Sequence, residues 1–348
     1  MQQVVFPKSL SKDLAAAIAE CRHDRIFLLT DENTSRHCLP LIEHIPSLKG
    51  AERIVIGHGE EHKSAATLTE IWQYLSRKGA TRHSLLINLG GGMITDIGGF
   101  AAATFKRGID FINIPTTLLA MIDAAVGGKT GINLDGLKNE VGAFCDARFV
   151  IIDTVFLQTL DNGNLLSGYA EMIKHGLIGT RAQWAELIGC ELAPPDLNML
   201  RKMVRESVEV KRSIVEKDPQ EQGLRKALNL GHTVGHAFES FAMAAGKPIL
   251  HGYAVAYGLI CELYLSAIKT GLPTEILRPT VSFIRENYGT MPITCNDYPA
   301  LLSLMHHDKK NTSGTINFTL LANIGEIRIN QTAGEDEIRE ALDFYREG

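Results

Sequence analysis

The sequence predicts an α/β amino-terminal domain built on a parallel sheet, followed by a mostly α-helical carboxy-terminal domain. Two observations lead to this prediction. Short apolar runs alternate with amphipathic stretches in the first half of the chain, and long helical patterns replace them in the second half. We place the domains at residues 1–163 and 164–348, because the hydrophobic period changes between residues 160 and 165.

Five short apolar runs predict the strands of the sheet. Each run is rich in Ile, Leu and Val and nearly continuous in apolarity, as expected for strands that are buried on both faces. The runs are residues 25–30, 53–57, 84–89, 111–115 and 149–153. Amphipathic stretches such as residues 64–79 lie between them, which gives the strand–helix–strand rhythm of a parallel sheet.

The second half of the chain is predicted to be helical with one strand pair. Its helical patterns cover residues 198–218, 227–244, 251–270, 281–287 and 335–346. The strand pair covers residues 315–321 and 326–330, joined across residues 322–325.

The composition excludes several classes of protein. The net charge of −5 does not suit nucleic acid, whose partners are usually basic. The apolar runs fall short of the ~18 residues of a membrane span, and the first residues lack a signal-peptide pattern. Six scattered cysteines without a Cys-x-x-Cys pair predict reduced thiols. We therefore expect a cytoplasmic globular protein without nucleic-acid or membrane partners.

A glycine-rich segment, GGGMITDIGGF at residues 90–100, follows the third predicted strand. Glycines at the start of a helix let backbone N–H groups approach an anion, but they also suit a tight structural turn. Because the segment does not match the G-x-G-x-x-G dinucleotide pattern, both interpretations remain open. Thr116 and Thr117 end the next strand, where their hydroxyls can cap a helix or bind a ligand.

Four polar residues stand in a Gly-rich, otherwise apolar stretch: Asp123, Lys129, Lys138 and Asn139. Solvated lysines usually have other charges around them, and these lysines stand almost alone among small residues. Lysine is a compact charge suited to phosphate or carboxylate. The stretch therefore predicts an anion-binding pocket.

Carboxylate and imidazole groups in the second half predict a metal site. Glu171, His232 and His251 offer one oxygen and two nitrogen donors, the number of protein ligands that a catalytic Zn²⁺ uses. His236 is an additional candidate, because histidines at i and i+4 share a helix face and often bind zinc together. On one continuous helix, Arg225 and Asn229 would lie on that same face.

Other cations in this half have two interpretations. Lys174 follows Glu171 by one turn and shares its helix face. Lys211 lies among other cations on a long helical pattern, and Lys309 and Lys310 end the run HHDKK. Each of these last three is either a solvated surface residue or part of a site.

These segments, in this order, resemble the 3-dehydroquinate synthase family. The resemblance covers residues 59–310, and the motifs are specific when taken together. They are GEEHK from Gly59, GGGMITD from Gly90, FKRG from Phe105, IPTT from Ile114, DAAVGGKTG from Asp123, the pair Lys138-Asn139, AEMIKHG from Ala170, RKALNLGHTVGH from Arg225, the pair His251-Gly252 and DKK from Asp308. The resemblance implies a Rossmann-like first domain and a mostly helical second domain.

The resemblance also implies NAD and Zn²⁺ as cofactors, with Co²⁺ as a substitute. The implied metal ligands are Glu171, His232 and His251, which makes His236 a substrate contact. The implied NAD contacts are Asp31, Glu60, Lys63, Gly91, Gly92, Met93, Thr95, Asp96, Thr116, Thr117, Lys129, Lys138, Phe156 and Thr159. The implied substrate contacts are Asp123, Lys129, Lys138, Asn139, Lys174, Lys211, Arg225, Asn229, His236 and one or both of Lys309 and Lys310. Arg107 is implied to reach the phosphate in the neighbouring subunit of a homodimer.

The chain departs from the family pattern in two places. The family usually has Gly-Lys-Asn where this chain has Gly136-Leu137-Lys138-Asn139, which predicts a locally reshaped phosphate loop. His175 stands where Tyr is common, which predicts altered hydrogen bonding around the metal ligands.

The implied activity belongs to the shikimate pathway. It is a phosphorus–oxygen lyase reaction that converts 3-deoxy-D-arabino-heptulosonate 7-phosphate to 3-dehydroquinate. The alternatives are a sister sugar-phosphate cyclase of the inosose or valiolone synthase type, a glycerol-dehydrogenase-like metal enzyme, and a non-catalytic nucleotide-binding module with structural zinc. Arg225 beside Asn229 favours a substrate with a carboxylate, and structural zinc is often held by cysteine, which this constellation lacks.

Overall fold

A computed structural model describes residues 2–135, 137–192, 196–306 and 315–347. Its strands are β1 (Gln3–Val5), β2 (Ile26–Asp31), β3 (Glu52–Ile56), β4 (Leu85–Gly90), β5 (Asp110–Pro115), β6 (Lys129–Leu134), β7 (Leu137–Phe144), β8 (Phe149–Ile151), β9 (Asn317–Asn323) and β10 (Glu326–Thr332). Its helices are α1 (Leu10–Glu20), α2 (Glu32–His37), α3 (Ala65–Arg77), α4 (Gly92–Thr104), α5 (Asn162–Ile178), α6 (Arg181–Ile188), α7 (Leu197–Lys217), α8 (His232–Ala244), α9 (His251–Thr270), α10 (Thr274–Tyr288), α11 (Tyr298–His306) and α12 (Glu335–Glu347).

The chain forms two compact units. The first contains Met1–Asp161 and Leu197–Val208, and the second contains Asn162–Asp196 and Glu209–Gly348. Helix α7 therefore contributes its first half to one unit and its second half to the other. In the first unit, Arg201 donates a hydrogen bond to the carbonyl of Pro7, and the Arg205 guanidinium lies 4.7 Å from the centre of the Phe6 ring.

The first unit is built on a six-stranded sheet in the order β1-β8-β5-β4-β2-β3, with every pair parallel. The five predicted strands are confirmed as β2, β3, β4, β5 and β8. Strand β4 is buried along its whole length, as the continuous apolar run predicts. Strand β1 was not predicted, because three residues are too few to show a period.

A hairpin lies in the stretch that we expected to form an anion-binding loop. Strands β6 and β7 pair antiparallel, with a register shift between Ile132 and Leu134. Two residues of the hairpin, Asp135 and Asn139, adopt positive φ angles of 49° and 51°. The shift lets β7 accommodate more residues than β6 at this point, as a β-bulge does. Residues 138–140 of β7 lie within the shift, and Leu137, which departs from the family pattern, pairs with Leu134 at its edge with a side chain that is 56% exposed.

The second unit is helical apart from the antiparallel pair β9–β10, and both features confirm the prediction. Helix α9 is its central element and packs against α5, α8, α10 and α12. Two glycines of α9 allow this close packing. A Cβ on Gly252 would lie 1.8 Å from the carbonyl oxygen of Ser167, and one on Gly258 would lie 2.0 Å from that of Gly231. Within the described ranges, no helix is long and apolar enough to cross a membrane.

Candidate functional site

Three helices of the second unit bring Glu171, His232 and His251 together. Glu171 lies in the middle of α5, whereas His232 and His251 are the first residues of α8 and α9. The Nε2 atoms of His232 and His251 lie 3.2 Å and 3.5 Å from Oε1 of Glu171. The three ligand atoms lie within 4.8 Å of one another, so one ion can contact all of them.

The electrostatics of Glu171 suit a cation. Its side chain is fully buried, with Oε2 against the Lys174 ammonium and Oε1 facing the two imidazole nitrogens. Burial opposes ionisation, but the Lys174 ammonium, which forms a close ion pair, and His232 hold the pKa of Glu171 well below its usual value. An anionic oxygen beside two imidazole nitrogens is a donor set that suits Zn²⁺.

Both imidazoles are oriented by a hydrogen bond at Nδ1. The Nδ1 of His232 lies 3.0 Å from the carbonyl oxygen of Leu230, and that of His251 lies 3.3 Å from Oε2 of Glu239. Burial opposes the charge on His251, but its contacts with Glu171 and Glu239 raise its pKa to about 10. In both rings, Nε2 therefore points to Glu171.

His236 lies beside this triad. Its ring centre is 5.4 Å from that of His232 and 6.0 Å from that of His251. Among the described residues, however, the group that can hold one ion with both other imidazoles consists of Glu171, His232 and His251, without His236. The i, i+4 spacing of His232 and His236 did not show which of the two histidines belongs to the triad.

The expectation that Arg225 and Asn229 share a continuous helix with His232 and His236 is wrong. Arg225 and Asn229 lie on a separate 3₁₀ turn, Leu224–Asn229, and α8 begins only at His232. Gly231 interrupts the helical path with a φ of 80°, which favours glycine.

Two acidic residues that the sequence did not single out hold this turn. The carboxylate of Asp218 accepts hydrogen bonds from the backbone N–H groups of Gly223 and Arg225 at 2.7 Å and 3.0 Å, and these bonds lower its pKa. Glu221 accepts a hydrogen bond from the Asn229 amide at 3.0 Å. The Arg225 guanidinium donates to the carbonyl of Pro219 at 2.6 Å. In the sequence, the roles of Asp218 and Glu221 were indicated only by the polar character of the segment that precedes the turn.

Lys211 is buried, with a relative exposure of 5%. The interpretation as a solvated cation is therefore wrong, whereas Lys202 on the same helix is exposed. Arg225 and Lys174 are also buried. Lys and Arg side chains are almost never fully buried unless they are paired. Three buried cations in the second unit are therefore candidates to bind an anionic group. Lys309 and Lys310 lie outside the described residues.

In the first unit, two implied NAD contacts, Lys63 and Asp96, lie together with Asn139, an implied substrate contact. The Lys63 ammonium lies 2.5 Å from Oδ2 of Asp96 on α4 and 2.5 Å from Oδ1 of Asn139 on β7. Burial raises the pKa of Asp96 against the effect of Lys63. Glu60 is nearby, because its carboxylate accepts a hydrogen bond from Asn133, whose backbone N–H bonds to the Lys63 carbonyl.

The glycine-rich segment forms the junction between β4 and α4. Gly91 occupies the N-cap position of α4 without a side-chain cap, and a Cβ there would lie 3.0 Å from the Thr117 methyl group. A Cβ on Gly92 would lie 3.2 Å from Ala124. The glycines therefore allow close packing and also leave a helix N-terminus without a capping side chain. This geometry agrees with both interpretations of the segment, a tight structural turn and an anion-binding helix N-terminus.

The other predicted contacts of the first unit have the following positions. Asp31 caps α2 by accepting from Thr34 N–H, and Thr117 caps the helical turn at Ala120. Met93 and Thr95 lie in the first turn of α4, Thr116 follows β5, Asp123 lies in the π-helical turn Ala120–Ala124, Lys129 begins β6, Lys138 lies in β7, and Phe156 and Thr159 lie in the 3₁₀ helix Thr154–Thr159. Lys106 and Arg107 form a turn in which both adopt positive φ angles, 50° and 69°.

Comparison with known proteins agrees with this architecture. A family model for the 3-dehydroquinate synthase N-terminal region matches residues 53–167, and one for the C-terminal region matches residues 168–311. A 3-dehydroquinate synthase of Parabacteroides distasonis is 54% identical over 346 residues, which cover 99% of this chain and 98% of that protein.

Two solved structures share the fold. One is a 2-epi-5-epi-valiolone synthase of Streptomyces hygroscopicus with NAD⁺ and Zn²⁺ bound, with a TM-score of 0.88 and 25% identity over 100% of this chain and 97% of that one. The other is a 2-deoxy-scyllo-inosose synthase in complex with carbaglucose-6-phosphate, NAD⁺ and Co²⁺. Its TM-score is 0.84, with 24% identity over 99% of this chain and 96% of that one.

Proposed function

This chain belongs to the 3-dehydroquinate synthase family, and we propose that Glu171, His232 and His251 hold the metal ion of its reaction. The enzyme converts 3-deoxy-D-arabino-heptulosonate 7-phosphate to 3-dehydroquinate and phosphate, with NAD and Zn²⁺ or Co²⁺ as cofactors. The steps are oxidation, elimination of phosphate, reduction and intramolecular aldol closure.

The observation that supports the ligand set is the fully buried carboxylate of Glu171, whose Oε1 faces the Nε2 atoms of both His232 and His251. When bound, the cation supplies Lewis-acid polarisation of the hydroxyl that is oxidised, and NAD supplies hydride transfer. The ionised carboxylate offsets part of the charge of the cation. The hydrogen bonds at Nδ1 fix the ring orientations and direct each Nε2 toward the ion.

The cationic and amide residues of the second unit are proposed to bind the substrate. Arg225 presents a planar fork of donors suited to the substrate carboxylate, and the backbone bonds to Asp218 hold it in place. Asn229, Lys211 and His236 are proposed to contact hydroxyl and phosphate oxygens. Lys174 is oriented by its ion pair with Glu171 and is proposed to donate a hydrogen bond to the substrate. Lys309 and Lys310 remain proposed contacts from the sequence alone.

The nucleotide is proposed to bind on the first unit. The supporting feature is the N-terminus of α4, where Gly91 leaves backbone N–H groups without a side-chain cap, as suits a pyrophosphate. The full set proposed for NAD is Asp31, Glu60, Lys63, Gly91, Gly92, Met93, Thr95, Asp96, Thr116, Thr117, Lys129, Lys138, Phe156 and Thr159. Asp123, Lys129, Lys138 and Asn139 are proposed to contact the substrate.

The test of the function is turnover of heptulosonate phosphate. We expect release of phosphate and formation of 3-dehydroquinate without net accumulation of NADH, because the hydride returns to the product in each cycle. Addition of a chelator should abolish turnover, and Zn²⁺ or Co²⁺ should restore it. Phosphate release only from a sugar phosphate that lacks the carboxylate would instead assign a sister cyclase.

We propose that the enzyme is a homodimer in which Arg107 binds the substrate phosphate of the neighbouring subunit. The supporting feature is the Lys106–Arg107 turn, since two consecutive non-glycine residues with positive φ are a strained arrangement of the kind found at functional sites.

Subunit mixing tests this proposal. Arg107→Ala and Glu171→Gln should each be inactive alone. If Arg107 acts across the interface, a mixed dimer has one site with both residues intact, so exchange of subunits should recover roughly a quarter of the wild-type activity. No recovery in dimers that have exchanged, as measured with differently tagged subunits, would show that Arg107 acts in its own subunit.

A further inference from the structure

Two buried carboxylates of the second unit contact the proposed ligand His251 and the backbone around the proposed ligand His232. The reaction described above does not use them. Glu239 is on α8 and Glu262 is on α9, and both are buried. Buried carboxylates are rare unless they have partners, so the partners of these two indicate their roles.

Glu239 acts on His251. Its Oε2 accepts from Nδ1 of His251 at 3.3 Å, while Nε2 of the same ring lies 3.5 Å from Oε1 of Glu171. A ring whose Nδ1 proton is held by a carboxylate binds a metal ion through Nε2, where the ion replaces the second proton of the charged ring. A carboxylate at this position also makes the imidazole a more basic ligand and restricts its rotation.

Glu262 acts on His232 through the backbone. Its two carboxylate oxygens accept from the N–H groups of Gly231, at 2.6 Å, and Val234, at 3.1 Å. These bonds hold the turn at Leu230–Gly231, where Gly231 has a φ of 80°. The carbonyl oxygen of Leu230 in that turn lies 3.0 Å from Nδ1 of His232. Glu262 therefore fixes the acceptor that orients this ring.

We propose that Glu239 and Glu262 are positioning residues of the metal centre, which set the ring orientation of His251 and His232 and direct each Nδ1 proton to its acceptor, so that Nε2 is the atom that binds the ion. The proposal rests on the proposed ligand set Glu171, His232 and His251. It assigns a direct hydrogen bond to one imidazole and a backbone turn to the other, so that both rings present Nε2 to the same point.

The experiment measures Co²⁺ binding by the full-length protein after its metal has been removed with a chelator. Affinity is obtained by competition with a chelating indicator, and the visible absorption of bound Co²⁺ reports the coordination geometry. Glu239→Ala and Glu262→Gln should each weaken binding about 10- to 100-fold and change the absorption spectrum. Glu239→Gln should lose less affinity than Glu239→Ala, because its amide oxygen can still accept from Nδ1.

The control is Glu275→Gln, which alters an exposed carboxylate of the same unit and should leave affinity and spectrum unchanged. Glu239→Gln preserves side-chain volume, so its comparison with wild type remains informative where Glu239→Ala is less stable. If Glu171→Gln loses Co²⁺ affinity while Glu239→Ala and Glu262→Gln bind as wild type does, the positioning role is refuted and the ligand set stands. If Glu171→Gln also binds like wild type, the ligand set is refuted, and the positioning role with it.

Discussion

Replacing Glu171 by Gln should abolish turnover, with a loss of about 10³-fold or more in kcat/KM, because several kcal/mol of Lewis-acid stabilisation depend on the ion that this carboxylate is proposed to hold. An amide of the same size removes the negative charge and weakens the oxygen donor. Binding of NAD should be retained, because the proposed nucleotide contacts lie on the other unit. Steady-state kinetics and a metal analysis of the purified variant measure both effects.

The same substitution should also lower the stability of the protein. Lys174 is 1% exposed and forms an ion pair with Glu171, so Glu171→Gln leaves its ammonium buried without that partner. Breaking a buried pair in this way costs about 3–5 kcal/mol in the free energy of unfolding. The double variant Glu171→Gln/Lys174→Met should recover much of this stability but none of the activity.

Urea denaturation in metal-free buffer compares the three proteins, with Glu275→Gln as a control at an exposed ion pair. Full turnover by Glu171→Gln, or by the wild type freed of metal, would contradict the assignment of the ligand. Equal stability of the single and double variants would show that Lys174 finds another partner.

Replacing Arg225 by Met should weaken substrate binding by about 2–5 kcal/mol, the range for truncating one partner of a buried charged pair. Arg225 is buried, and its guanidinium has the planar fork that matches a carboxylate. The Asp218 bonds that hold this turn use backbone N–H groups, so the substitution should leave the turn intact.

The measurement is the dissociation constant of an unreactive substrate analogue, determined by calorimetry with NAD present. A matched analogue without the carboxylate should bind the wild type and Arg225→Met equally. Arg225→Lys should give an intermediate result, because it keeps the charge but loses the fork. An unchanged affinity of Arg225→Met for the carboxylate analogue would remove Arg225 from the site.

The sheet and the long helices were predictable because each shows a clear hydrophobic period over its own length. Strand β4 is apolar at every position and is buried at every position, and the predicted helix at residues 251–270 has the same bounds as α9. The hairpin β6–β7 was not predicted. Its residues are mixed in polarity and its register is shifted by a bulge, so no alternation of two residues is visible.

The three residues proposed as metal ligands could be selected from the sequence because rare residue types stand out among small and apolar neighbours. The supporting residues could not. Glu239 and Glu262 lie within helical patterns where a carboxylate is ordinary, and only their partners in space reveal a role. The separation of Arg225 from the helix of His232 was also hidden, because a glycine such as Gly231 is compatible with a helical period as well as with a break.

The division of α7 between the two units has a consequence for recombination between relatives. The two family models meet at residues 167 and 168, which makes this the natural point at which to join halves of different synthases. Residues 197–208, however, belong to the first unit, where Arg201 and Arg205 contact Pro7 and Phe6. A chimera joined at that point would place a foreign helix segment against the native amino terminus. To exchange the first unit as a whole, a chimera must therefore transfer two separate segments of the gene, one for residues 1–161 and one for residues 197–208.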